Sequence, residues 1–237
     1  MKSRLIRKLH RWLGLFFSVS ILMASGSGVI HNVMTRTQAP PPSTRPSGEG
    51  MDVKAIKITV PEAISNLAPE TAGESGVQAV NLRSIGGRPW YQVYTAASEG
   101  PRYVSAVDGR VDPTLDETYA AEIATRFLDG KDVSKTDFLT TFNSEYLNIF
   151  RILPVYRFDV GDEQETRVYV STTTGSVTRH TDRRRQFEAT IFTRFHKLGF
   201  IPNKDLRDLV LTSMTFGTFL VACLGLFLFA ATPRRKR

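Results

Sequence analysis

Two apolar runs, Trp12 to Ile30 and Leu209 to Ala231, carry no formal charge over 19 and 23 positions. A helix needs roughly 20 such residues to cross a bilayer, so both runs predict membrane-spanning helices. Between them the periodicity changes. Gln38 to Gly50 holds four prolines and two glycines and no apolar side chain larger than alanine, which predicts an extended tether. From Met51 to about Asp182 the chain alternates large and polar residues with a period of two, the pattern of half-buried strands.

That alternation occurs twice. Arg88 to Thr95, a polar turn and Arg102 to Val111 are matched by Leu153 to Val160, a polar turn and Thr166 to Val177. Pro89 and Pro154 lie 65 residues apart, Gly109 and Gly175 lie 66 apart, and Tyr91, Tyr103 and Val111 correspond to Tyr156, Tyr169 and Val177. Each copy reads as a hairpin closed by a glycine turn. A helix is expected before each, over Val60 to Leu67, opening with Pro61 and Glu62, and over Leu115 to Leu128, where Leu115, Tyr119, Ile123 and Phe127 recur every four residues. The fold class predicted is α+β, two transmembrane helices flanking a domain of two helix-plus-antiparallel-sheet repeats. The segments are a basic terminus (1–11), a first transmembrane helix (12–33), a Pro-rich linker (34–50), two repeats (51–113 and 114–182), an interfacial helix and connector (183–205), a second transmembrane helix (206–231) and a basic tail (232–237).

Charge fixes the orientation expected of this arrangement. The net charge is +8, of which Lys2, Arg4, Arg7, Lys8 and Arg11 supply five and Arg234, Arg235, Lys236 and Arg237 four. The positive-inside bias then places both basic flanks in the cytoplasm and the central domain outside. A basic nucleic-acid groove spreads its cations over one folded face, so this charge speaks for membrane topology and against nucleic acid. Small residues at Ala24 to Gly28 also fit a cleavable signal peptide, but the apolar run outlasts the usual core of roughly 7 to 15 residues, so the helix is expected to persist as an anchor. The single cysteine, Cys223, excludes an intrachain disulfide, and its apolar surroundings predict a small buried residue.

The Tyr-x-Val-Tyr strand, polar turn, Tyr-Val and Asp-Gly-Arg-Val at 108–111 resemble the PepSY module, and 154–177 is a weaker copy. Leu9-His-Arg-Trp-Leu-Gly-Leu and Phe195-His-Lys-Leu-Gly-Phe are similar to the PepSY-associated transmembrane-helix family. The resemblance implies a bacterial inner-membrane protein linked to iron acquisition with its central domain in the periplasm, and it is similar to haem-containing siderophore reductases. Those have four membrane helices or more, whereas this chain has two.

Three of the four histidines are expected at membrane boundaries: His10 before the first helix, His31 at its outer end and His196 shortly before the second. Imidazole is the common axial ligand of electron-carrying haem. At 100° per residue Gly28 lies in line with His10, while Gly14 and His31 fall within 60° of it, and glycines on such a stripe let a macrocycle or a second helix approach. His10 and His31 are 21 residues apart, roughly 31 Å along a helix, so they cannot share a haem. His31 and His196 belong to the same membrane side and form the candidate axial pair for haem b iron. His10 lacks a second ligand, and its bland alternative is an interfacial polar residue beside Trp12. His180 reads as a solvated surface residue.

Phe187, Ile191, Phe195 and Leu198 form a stripe suited to the headgroup layer, behind Arg183 to Arg185, which could gather an anionic ligand. Ser213, Gly217, Val221 and Gly225 form a small-residue stripe suited to packing on the first helix or on a partner. Asp52, Glu62, Asp108, Asp112, Asp116 and Glu117 show no acid–base pair and read as a solvated face. No phosphate loop, nucleophile elbow or zinc-protease motif occurs, nor any nucleotide- or flavin-binding motif. Two expectations follow: a haem b electron-transfer subunit acting on a ferric complex or redox protein, or a non-catalytic scaffold, regulatory or accessory subunit. Besides the lipid bilayer, the partners expected are a second copy or other membrane subunits.

Overall fold

The structure, a computed structural model, describes residues 2–38, 50–67, 76–96, 98–150 and 152–231. The chain forms two compact units, Pro40–Arg183 and the pair of segments Met1–Ala39 and Arg184–Arg237. Most of the proline-rich tether and the basic tail lie outside the described residues.

The sheet-bearing unit is α+β. Helix α1 (Lys2–Thr37) belongs to the other unit; here α2 (Val60–Ser65) is followed by β1 (Val77–Ile85), β2 (Arg88–Thr95) and β3 (Arg102–Ser105), and α3 (Leu115–Phe127) by β4 (Ser134–Leu139), β5 (Val155–Asp159), β6 (Arg167–Ser171) and β7 (Ser176–Thr181). Thr59 and Glu62 cap α2 reciprocally, and Pro61 sits in its first turn, where its missing N–H costs nothing. Both sheets are antiparallel, in the orders β1-β2-β3 and β4-β5-β6-β7.

The internal repeat holds at the level of register. Tyr91 pairs with Val104 and Tyr156 with Val170; Val104 bridges Val111 as Val170 pairs with Val177. The glycine turns match too, with φ of +75° at Gly109 and +63° at Gly175, a region that favours glycine. Each sheet gains a strand before the expected hairpin, and the copies differ in that the second ends in a full strand, β7, where the first has an isolated bridge at Val111. Strand β1 turns into β2 through Gly86 and Gly87, both at positive φ, the two-residue turn that such hairpins favour. Strand β4 is an edge strand, exposed at all but its last residue, so it carries no apolar alternation.

Each sheet uses the same face for its own helix. Tyr91, Val93 and Val104 pack with Ala63 and Leu67 on the α2 side, while Phe158, Val168, Val170 and Val177 pack with α3. The second face of the first sheet, through Ile85, Trp90 and Tyr103, joins that same α3 core, so one apolar interior unites both repeats. The far side of the second sheet is closed by Tyr146, whose ring stacks on Tyr169 at 4.9 Å.

In the other unit, α1 and α5 (Lys204–Ala231) are both long and apolar enough to cross a membrane. Most of their large apolar residues, Phe16, Leu22, Phe219, Leu226 and Phe229 among them, are exposed, unlike those of a soluble core helix. The unit is compatible with a two-pass membrane protein. Helix α1 is longer than the span expected, running 36 residues, because the basic flank and the first residues of the tether continue its turns. Helices α1 and α5 run antiparallel: Phe17 lies on Gly217, Gly14 faces Val221 and His10 lies on Gly225. A side chain at Gly217 would overlap the Phe17 ring. Of the two partners open to the small-residue stripe, the first helix is the one it meets within the chain. Cys223 departs from its expectation, since it is exposed on the outer face of α5.

Candidate functional site

Helix α4 (Arg183–Ile191) ends in a π-helical turn, Phe192–His196. Arg184, Glu188, Phe192 and His196 recur every four residues and share one face, and this face closes along α1. Arg184 Nη2 donates to Thr37 Oγ1 at 2.7 Å. Glu188 takes Gln38 Nε2 at 3.2 Å on one oxygen and lies 2.5 Å from His31 Nδ1 on the other. The Phe192 ring lies 5.0 Å from that of His31, and His196 Nδ1 sits 3.3 Å from both Ser27 Oγ and Ala24 O. Of the stripe expected to face lipid, Phe187 and Phe195 are exposed while Ile191 and Leu198 are partly covered, and the π turn breaks its regular helical spacing after Ile191.

These contacts assign the ring hydrogens. A carbonyl only accepts, and Ser27 Oγ spends its own hydrogen on Ala24 O at 3.0 Å. The His196 hydrogen therefore sits on Nδ1, and in the neutral ring Nε2 keeps its lone pair. The carboxylate of Glu188 places the His31 hydrogen on Nδ1 in the same way. This is how ligating histidines are oriented, with Nδ1–H held by a carboxylate or carbonyl.

As a pair, however, the two do not fit one haem. The Phe192 ring lies between them, stacked on His196 with centroids 4.5 Å apart and planes 12° apart and tilted over His31. A macrocycle sandwiched by two imidazoles needs that space empty. Membrane side alone paired His31 with His196 in the sequence; the four-residue spacing of Phe192 and His196 puts both on one face, but nothing local shows that this face closes on His31.

His10 is partly covered by the second helix. Its Cε1 lies 3.1 Å from the position a Cβ would take at Gly225, and its Nδ1 is buried without a hydrogen-bond partner among the described residues. Gly14 faces the second helix through Val221 at 3.7 Å, whereas Gly28 has open space before it. The stripe linking His10, Gly14, Gly28 and His31 is thus divided between helix packing at one end and the α4 contact at the other.

The sheet-bearing unit holds a polar centre that sequence reading missed. Asp116, expected on a solvated face, accepts from Tyr103 Oη at 2.6 Å and Tyr156 Oη at 2.9 Å. Gln92, fully buried, donates to Tyr103 Oη and Thr172 O and accepts from Asn81 and Arg83. Burial first, and then the Asp116 charge, raises the Tyr103 and Tyr156 phenols above their ordinary range, so both remain donors. The network ties the first sheet to α3 and to the β6–β7 turn. His180 likewise departs from the surface reading, its ring packing on Phe127 at 5.4 Å.

Among the described residues no cluster of three or more His, Cys, Asp or Glu side chains surrounds a point that a metal ion could take. In comparisons with known proteins, no family model, no curated protein and no solved structure matches this chain.

Proposed function

We propose that the chain is a two-pass inner-membrane protein of the PepSY kind, with its basic flanks in the cytoplasm, that works as a non-catalytic accessory or regulatory subunit. The helix pair anchors it, and the double-repeat domain supplies a periplasmic surface to a partner. The observation that carries this reading is the closure of the α4 stripe along α1, with Phe192 between the two histidines. It gives His31 and His196 structural work and so supports this reading over a macrocycle shared by the two. His10 packed on Gly225 supports the same reading.

A haem b electron-transfer subunit is the second reading, favoured by one observation: in both histidines Nδ1 is anchored and Nε2 is left for a ligand. It requires Phe192 to leave its position between the rings. Visible spectra of the full chain purified from haem-replete cells decide between them. The accessory reading expects no stoichiometric Soret band. A stoichiometric band with sharp α and β features, lost in His31→Ala or His196→Ala, overturns it.

A further inference from the structure

A cleft of about 380 Å³ opens between α1, the π turn and α5, lined by Met23, Ser25, His196, Leu211, Met214 and Thr215 among others. This volume falls within the range of small-molecule sites. Its walls belong to the centre of the α1 apolar run and the first half of the α5 run, and most of the surface is apolar, so a ligand arriving from the bilayer meets it side-on. His196 is the only ionisable side chain among the lining residues. Its hydrogen is committed to the α1 backbone at Ala24 and to Ser27, which leaves Nε2 as an acceptor.

We infer that this cleft binds an isoprenoid quinol, its ring hydroxyl donating to His196 Nε2 and its tail lying along the groove between α1 and α5. The lining also holds hydroxyls at Ser20, Ser25, Thr215 and Thr218, so it is the contact at His196 Nε2 that favours the reduced form. A quinol hydroxyl supplies the hydrogen that Nε2 lacks, whereas a quinone carbonyl sets one lone pair against another. Met23 and Met214 suit a flat ring, since thioethers adapt their shape and make favourable contacts with aromatic edges. The inference is one of binding, and it rests on the two-pass reading because the ligand is delivered by the bilayer.

The test uses the full chain in detergent micelles under argon, titrated calorimetrically with a benzoquinol bearing two isoprene units, with the matching quinone, and with an isoprenoid alcohol of the same tail. Saturable quinol binding is expected, with the quinone about tenfold weaker for the loss of one hydrogen bond. His196→Phe should bring quinol and quinone to equal affinity, and Met214→Trp, which fills the cleft, should abolish both. A cysteine pair at Gly14 and Val221 in each variant reports by cross-linking that the helices remain paired. Absence of saturable binding, equal affinities in the unaltered chain, a preference that survives His196→Phe, or an alcohol binding as tightly as the quinol each overturns the assignment. Flotation of the same protein with phospholipid vesicles tests the membrane reading separately.

Discussion

Phe192 stacks on His196 with ring planes 12° apart and centroids at 4.5 Å, and its other neighbour is the ring of His31. An aromatic ring held between two imidazoles turns a plausible ligand pair into part of a helix contact. The contact is extended by polar partners on both sides, so its strength can be measured piece by piece.

The His31–Glu188 bond is the first such piece. Glu188→Gln keeps the shape but removes the charge. In a double-mutant cycle with His31→Phe, followed by thermal unfolding in micelles, the coupling should be about 1 kcal/mol, the size of a net hydrogen bond at a partly exposed site. A coupling near zero would mean that the side chains meet without holding the segment.

Helix pairing depends on Gly217 because the Phe17 ring occupies the space a side chain would need. Gly217→Leu should prevent close approach of the helices. With Cys223 replaced by Ala, cysteines at Gly14 and Val221 should form a disulfide readily, given the 3.7 Å approach of Val221 to the Gly14 Cβ position. That cross-link should be lost when Gly217→Leu is added, as read by a mobility shift on non-reducing gels.

The polar centre around Gln92 should be among the most sensitive sites in the sheet-bearing unit. Gln92→Leu takes a partner from Thr172 O and from Arg83 Nε and one of two from Tyr103 Oη, a cost of about 1 to 3 kcal/mol. Near-ultraviolet circular dichroism of the full chain should show the corresponding fall in unfolding midpoint, with Leu82→Thr, at a partly exposed strand position, changing it much less.

Alkaline pH should weaken the same centre. The Tyr103 and Tyr156 phenols are raised in the folded state, first by burial and then by Asp116. Their contribution is therefore fully present below the unfolded tyrosine value of about 10 and is lost as pH rises above it, because the unfolded chain ionises first. Urea midpoints measured from pH 8 to 11 should stay level and then decline. A Tyr156→Phe chain, starting from a lower midpoint, should decline less.

Orientation in the membrane is tested by labelling. With Cys223 replaced, a cysteine at Glu163 should react with an impermeant maleimide in spheroplasts, and one at Arg4 should react only after lysis. The reverse pattern would invert the topology that the charge distribution predicts.

Much of this architecture is local and so was readable in the residues. Uncharged runs of bilayer length, a helix opening with Pro61 and Glu62, and glycines where the turns require positive φ are properties of a few neighbouring positions, and the 65-residue spacing of matched tyrosines reappears in the strand registers. Strand β4 escaped because an exposed polar edge has no apolar period, and β1 because its alternation is weak, although Gly86-Gly87 marked its turn. What only the tertiary structure decided is which face of each helix meets which partner. Periodicity places His31 and His196 near one end of the helix pair, but it cannot place Phe192 between them, set His10 against Gly225 or gather Tyr103, Tyr156 and Gln92 around Asp116. Those contacts join residues far apart in the chain, and their energies come from packing and desolvation that arise only when the elements close on one another.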